Sequence, residues 1–235
     1  HLLQQLGTTQ PERTAQSLAM ITRNVDRLSD LVRDILDASR IQSARIALRP
    51  QHVNLAALAQ ETIESYRVVA EAAGINLRFT SAAVPAIVCD PGRVAQVVLN
   101  FLSNAVKFTA RDGLIHLAVQ ERSDGAMLTV TDSGVGLTNA QMDLLFKPFS
   151  QAHPPDPRKG GTGLGLYISR GIIEASGGHV WAESLGPGKG TTFGFFLPRE
   201  PDATSNTPSV AMAGAVDQRS IPANDETATQ VAQPF

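Results

Sequence analysis

The chain has 235 residues, 43% of them hydrophobic, with 20 Lys and Arg against 22 Asp and Glu for a formal net charge of -2. That size suits one large domain or two small ones, and the near-neutral balance excludes the electrostatic footprint of a nucleic-acid or anionic-membrane binder. The single cysteine, Cys89, cannot close an internal disulfide and lacks companions for a structural zinc site, so a reducing, cytoplasmic setting is expected.

No apolar run approaches the roughly 20 residues of a membrane span. His1 to Gln5 lacks the basic and apolar regions of a signal peptide. Without an initiator Met the chain reads as an excerpt, and an upstream membrane segment stays open.

The first region is residues 1–48. Thr8 to Glu12 form a break, and Pro11 suits the first turn of a helix, where its missing N–H costs nothing. Leu18, Ile21, Val25, Leu28, Leu31, Val32, Ile35 and Leu36 follow at spacings of three and four. They draw one apolar stripe along a helix of about 35 residues. Such a helix needs a partner helix, a second chain, or both to cover its stripe. Leu2, Leu3 and Leu6 read as the end of that partner.

The second region is residues 49–200. An amphipathic helix begins at Leu55, with Gly74 as its expected C′ residue. A strand at 76–80 and a helix at 93–107 follow. Alternating runs at 114–120 and 126–131 flank Ser123-Asp124-Gly125, which reads as a hairpin turn. Thr138 and Gln141 have the spacing of a capping box. A Pro- and Gly-rich stretch then leads to a helix at 164–176, closed by Gly177-Gly178. Two more strands are predicted, at 179–184 and 191–197. Mixed, non-alternating elements argue for an α+β fold, a two-layer sandwich with helices on one face of a mixed sheet.

The third region, 201–235, is rich in Ala, Thr, Ser, Pro, Asn and Gln and has few sizeable apolar residues. It cannot bury enough surface to offset its ordering entropy, so a disordered tail or linker is expected.

Three constellations carry chemistry. On the helix at 93–107, Gln96, Asn100, Asn104 and Lys107 share an arc about 80° wide. Amides and one cation beside an apolar face suit a phosphate and magnesium site, since magnesium accepts few protein oxygens and keeps its waters. A solvated face would look the same. Next, Asp132-Ser133-Gly134-Val135-Gly136 follows a strand directly; the glycines allow close backbone approach, and the carboxylate could accept from an exocyclic amine. Alone, this is also an ordinary turn. Last, Gly160 to Leu166 runs glycines into a helix N-terminus, an anion site by its free N–H groups. It is neither a Walker A loop nor a dinucleotide turn, lacking Lys-Ser or Lys-Thr and a preceding strand.

Taken together and in order, these motifs resemble the ATPase fold shared by histidine kinases, DNA gyrase and related proteins. "DPGRVAQVVLNFLSNAVKFT" at 90–109 is similar to the kinase N box, "DSGVG" at 132–136 to the G1 box, "LFKPFSQ" at 145–151 to the F box and "GGTGLGL" at 160–166 to the G2 box. "LSDLVRDILDASRI" at 28–41 resembles the end of the second dimerisation helix of a sensor histidine kinase.

The resemblance implies ATP and Mg2+ as cofactors. Asn100 would coordinate magnesium, and Asn104 and Lys107 would meet phosphate oxygens, Asn100 and Lys107 being the catalytic pair. Gly134 and Gly136 would shape the base pocket, and Phe108 would be among the nucleotide-binding residues. Asp132 would take the adenine amine, with Thr191 nearby through water. Gly161, Thr162, Gly163, Leu164 and Gly165 would surround the phosphates. Phe146 and Phe149 would anchor a lid from which Arg158 or Lys159 reaches the γ-phosphate. It further implies a homodimer through the helical hairpin and a response regulator receiver domain as partner.

One departure stands out. No His followed by an acidic residue and then Pro is present, so the phosphoacceptor is expected upstream and the chain as it stands should not phosphorylate itself. Gln96 occupies the place where a gyrase-like hydrolase would carry a glutamate base, which a glutamine cannot replace. That favours a kinase over the alternatives, a gyrase-like ATPase clamp or a non-catalytic or phosphatase-type regulatory module.

Overall fold

The computed structural model describes residues 11–151 and 161–200. Helix α1 spans Pro11–Gln42, 32 residues, with Pro11 at its start as the sequence predicts. At about 1.5 Å per residue it is near 48 Å long. All eight stripe residues from Leu18 to Leu36 are exposed. Only its last turns dock, where Ala38 and Ile41 pack on the core of the following domain. The expected partner segment at Leu2, Leu3 and Leu6 lies outside the described residues, as do the Pro-rich stretch from 152 and the tail from 201.

Strand β1 (Gln51–Val53) pairs antiparallel with β3 (Ile87–Cys89) in a small two-stranded sheet that the sequence did not announce. Three-residue strands are too short for a period of two to be counted. Between them lie α2 (Leu55–Ala72) and β2 (Asn76–Ser81). Asn54 caps α2 by accepting from the Ala57 N–H. Gly74 closes it at φ +69°, the left-handed turn expected of it.

Helix α3 (Pro91–Phe108) begins two residues earlier than predicted, because Asp90 is its N-cap and Pro91 its first residue. Then come β4 (Leu114–Arg122), β5 (Gly125–Asp132), the single turn α4 (Asn139–Met142), α5 (Gly165–Ala175), β6 (His179–Glu183) and β7 (Thr191–Pro198). The Thr138–Gln141 capping box is formed reciprocally at α4. The β4–β5 turn is tighter than expected. Arg122 pairs with Gly125, so Ser123 and Asp124 alone make the turn and Gly125 opens β5. A side chain at Gly125 would run into the Leu197 carbonyl and the Phe196 ring.

The main sheet has the order β2-β4-β5-β7-β6. β2 and β4 are parallel and the other pairs antiparallel. Helices α2, α3 and α5 cover one face, giving the two-layer arrangement with a mixed sheet. The core lies between these layers. Val94, Val98, Phe101 and Ala105 of α3 are fully buried, as are Ile168 and Ile172 of α5, opposite Leu117, Leu128 and Phe195 of the sheet. Phe101 is centred 5.5 Å from Phe193 and 6.3 Å from Phe195, tilted against both. Burying such a ring contributes about 1.5–3 kcal/mol. Among the described residues the other sheet face carries no helix. There His179 stacks on Trp181 and Phe196, and the His116 ring hydrogen-bonds Thr80. Among the described residues no helix is long and apolar enough to cross a membrane.

Candidate functional site

The polar strip of α3 divides along its length. At its N-terminal end Arg93 makes a two-pronged ion pair with Asp37 of α1, Nη2 donating to Oδ1 at 3.1 Å and Nη1 to Oδ2. Gln96 completes the cluster: its Oε1 accepts from Arg93 at 3.0 Å, and its Nε2 reaches Asp37 Oδ2 at 3.4 Å. Asp37 is 2% exposed. Gln96 is therefore committed to the long helix, and the lower part of the strip is an interface.

One turn further on, Asn100 faces α5. Its Nδ2 donates to the Gly165 carbonyl and to Ser169 Oγ, both at 3.2 Å. Both bonds fall on the nitrogen, which leaves Oδ1 available as an acceptor. Asn104 and Lys107 continue the strip as half-buried residues. The Lys107 ammonium sits 5.0 Å from the centre of the Phe108 ring. A Cβ built on Gly161 would come within 2.9 Å of Lys107 Nζ. The helix cation and the glycine loop are thus neighbours across 54 residues of chain.

Strand β5 delivers Asp132 at its end, 6% exposed. Its Oδ1 accepts from the Gly134 N–H at 2.8 Å and the Thr191 N–H at 3.3 Å. Burial pushes the carboxyl above its ordinary pKa, and the two amides pull it partly back. Thr191 is buried opposite Asp132 in the β5–β7 register. Gly134 has no room for a side chain between the Phe108 carbonyl and the Asp132 carboxylate. Gly136, at φ +64°, abuts the Gly186 carbonyl.

The third segment closes the site from the other side. Gly161 and Gly163 have φ of +133° and +71°. Thr162 Oγ1 accepts from the Leu164 N–H at 3.1 Å and donates to Asp34 Oδ2 of α1 at 3.1 Å. Leu164, 1% exposed, pins the loop into the core. Gly165 opens α5 with no side-chain cap on the helix, so its first N–H groups remain for an anion. Gln151 Nε2 donates to the Gly161 carbonyl at 3.0 Å, and Gly163 packs on the backbone of Phe149 and Ser150. The two ends of the segment that sequence reading assigns to a lid therefore meet. Arg158 and Lys159 lie outside the described residues.

Phe146 packs on the core, but Phe149 is 70% exposed at φ +59°. Gln96 lies in the Asp37 cluster, one turn from Asn100 on the same face of α3.

Residues 89–201 match the family described as histidine kinase-, DNA gyrase B-, and HSP90-like ATPase. The chain carries a histidine kinase ATPase domain. It is 32% identical over 228 residues to the circadian input-output histidine kinase CikA of Synechococcus elongatus, covering 94% of this chain and 30% of CikA. To the sensor histidine kinase GacS of Pseudomonas protegens it is 34% identical, over 99% of this chain and 26% of GacS. The chain thus spans under a third of the length of these relatives. The crystal structure of full-length ShkA in complex with AMPPNP superposes with a TM-score of 0.69 at 29% identity, over 81% of this chain and 40% of that one.

Within this ATPase domain several structural contributors escaped sequence reading. Ser184 Oγ donates to the Gly190 carbonyl at 2.7 Å and accepts from the Leu137 N–H at 3.0 Å, tying the β6–β7 loop to the G1 segment. Gly190, at φ +72°, lies against the Asp132 carbonyl, where a Cβ would overlap it. The run Gly186-Pro187-Gly188-Lys189-Gly190 was the available signal. For Asp34, Asp37 and Arg93 there was none beyond charge on a helix face.

Among the described residues no cluster of three or more His, Cys, Asp or Glu could hold a metal. A single Asn oxygen beside a glycine-rich loop at a helix N-terminus would still fit magnesium, which takes most of its ligands from water and nucleotide phosphates.

Proposed function

We propose that this chain binds Mg-ATP and presents its γ-phosphoryl group to a histidine on the dimerisation helices, for relay to a response regulator aspartate. The observation that carries this is the convergence of α3, the G1 segment and the G2 loop. Asn100 holds Gly165, Lys107 stands at Gly161, and Asp132 is buried beside Thr191.

In this reading Asp132 takes the adenine amine on Oδ2, since Oδ1 already serves two amides. Asn100 Oδ1 ligates magnesium, which would neutralise phosphate charge when bound. Asn104, Lys107 and the free N–H groups of α5 hold the phosphates, with Gly161 and Gly163 giving the loop its close approach. Phosphoryl transfer asks for alignment and charge neutralisation more than covalent help from the protein. Gln96, tied to Arg93 and Asp37, supplies no base for water, which supports transfer over hydrolysis. His116 and His179 sit on the open sheet face, opposite the helix layer, and this supports an acceptor elsewhere. The exposed stripe of α1 supports a homodimer through a helical bundle.

Calorimetry with AMPPNP, with and without magnesium, tests the reading. The native chain should bind in a magnesium-dependent way. Asn100→Ala should weaken binding about tenfold or more, the scale of a lost charge-assisted contact. Absence of binding to the folded native chain would overturn the reading in favour of a scaffold.

A further inference from the structure

We propose that Asp34 sets docking of the long helix against occupancy of the phosphate loop, so that a bound nucleotide triphosphate loosens α1 from the ATPase domain. This rests on the nucleotide reading above and deepens it.

Besides Ala38 packing on the core, three contacts among the described residues seat α1 on the domain. Asp37 grips Arg93 and Gln96 of α3. Ile41 fills the notch over Gly171 of α5, where any Cβ would meet its side chain. Asp34, one helical turn before Ile41's neighbour Ala38, accepts the hydroxyl proton of Thr162. The first two contacts touch nothing in the phosphate loop. The third does.

Thr162 has one hydroxyl proton, and it points to Asp34. The same oxygen accepts from the Leu164 N–H at the start of α5. A carboxylate is thereby held, through one hydroxyl, at the helix N-terminus that the triphosphate needs. Asp37 is neutralised by Arg93, with Arg40 at 3.8 Å. Asp34 forms no ion pair among the described residues, and burial with Asp30 and Asp37 nearby makes its charge costly already. A phosphate arriving at 161–165 adds like charge to a half-buried carboxylate. It also competes for the Thr162 proton. Both effects fall on the α1 contact, and by linkage α1 docking must weaken the triphosphate by the same factor.

The test compares Mg-AMPPNP binding by calorimetry in the native chain, Asp34→Asn, Asp34→Ala and Asp30→Asn. Asp30 lies on the same helix with its side chain 72% exposed and serves as the charge control. Both Asp34 variants should bind about fivefold tighter or more, while Asp30→Asn stays within about twofold of native, given usual coupling between linked sites. Reciprocally, saturating Mg-AMPPNP should speed amide hydrogen exchange over 37–42 in the native chain and change it little in Asp34→Ala. Native-like or weaker binding by Asp34→Asn, or slower exchange of α1 with nucleotide, would overturn the proposal while leaving the nucleotide site intact. If the native chain binds no AMPPNP, the nucleotide reading falls and takes this one with it.

Discussion

At the residue scale Asp132 concentrates the physics of the site. It ends a central strand, it is buried, and one of its two oxygens is occupied by backbone amides. Asp132→Asn keeps an acceptor for those amides, so the fold should survive. It also places an NH2 where, in the proposed reading, the adenine amine would donate. Two donors then face each other without water, and AMPPNP affinity should fall about 10- to 100-fold, the cost of a buried unpaired polar group. The pH dependence follows from the raised pKa. The folded state holds this proton more tightly than the unfolded chain does. Its stabilising effect is complete below the unfolded pKa and is lost as pH rises through the folded value. Asp132→Asn lacks that loss. Urea midpoints measured upward from about pH 4, the ordinary carboxylate range, should show the variant gaining on the native protein through this window.

Between elements, the docking of α1 depends on a few residues at the end of a helix that is otherwise exposed. The Asp37–Arg93 pair is the only one in which a 2% exposed carboxylate meets a guanidinium of low exposure, 23%, among the described residues. Asp37→Ala leaves Arg93 and Gln96 without their shared acceptor. Removing one partner of a buried pair costs about 3–5 kcal/mol, and the partial exposure of Arg93 reduces the expected loss to about 1–3 kcal/mol. Chemical denaturation should register it. The double variant Asp37→Ala with Arg93→Ala should lose less than the two single losses combined, because the second change removes the stranded charge. Additive losses would show that the pair does not interact in solution.

For the whole molecule, the exposed stripe of α1 is the main apolar band left in water among the described residues. Leu18, Val25, Leu28 and Val32 are each more than half exposed on one helix face. Monomeric soluble proteins rarely leave so long an apolar band in water. Self-association should therefore rise with concentration in light scattering. Leu28→Glu, with its side chain at the centre of the band and remote from the ATPase domain's core, should return the chain to a monomer without changing AMPPNP affinity. A native chain that stays monomeric at high concentration would count against a homodimer through this helix.

Much of this was legible in the linear chain. Helix α1 follows from apolar spacing and Pro11, the start of α4 from the Thr138 capping box, and the end of α2 from Gly74. The order of the N, G1, F and G2 motifs pointed to the nucleotide site through residues near one another in sequence. These signals are local: a cap, a turn or a period is fixed by side chains acting on backbone a few residues away. What only the tertiary structure decided are the long-range partnerships. Asp34 meets Thr162 across 128 positions, Asp37 meets Arg93 across 56, and the three-residue strands β1 and β3 exist only because they pair. Asn100 and Lys107 announced a polar strip, but packing α1 and α5 against α3 determined which part faces the glycine loop and which part binds the long helix. The strip's chemistry is a property of one helix, whereas its division into site and interface depends on where two other elements come to rest.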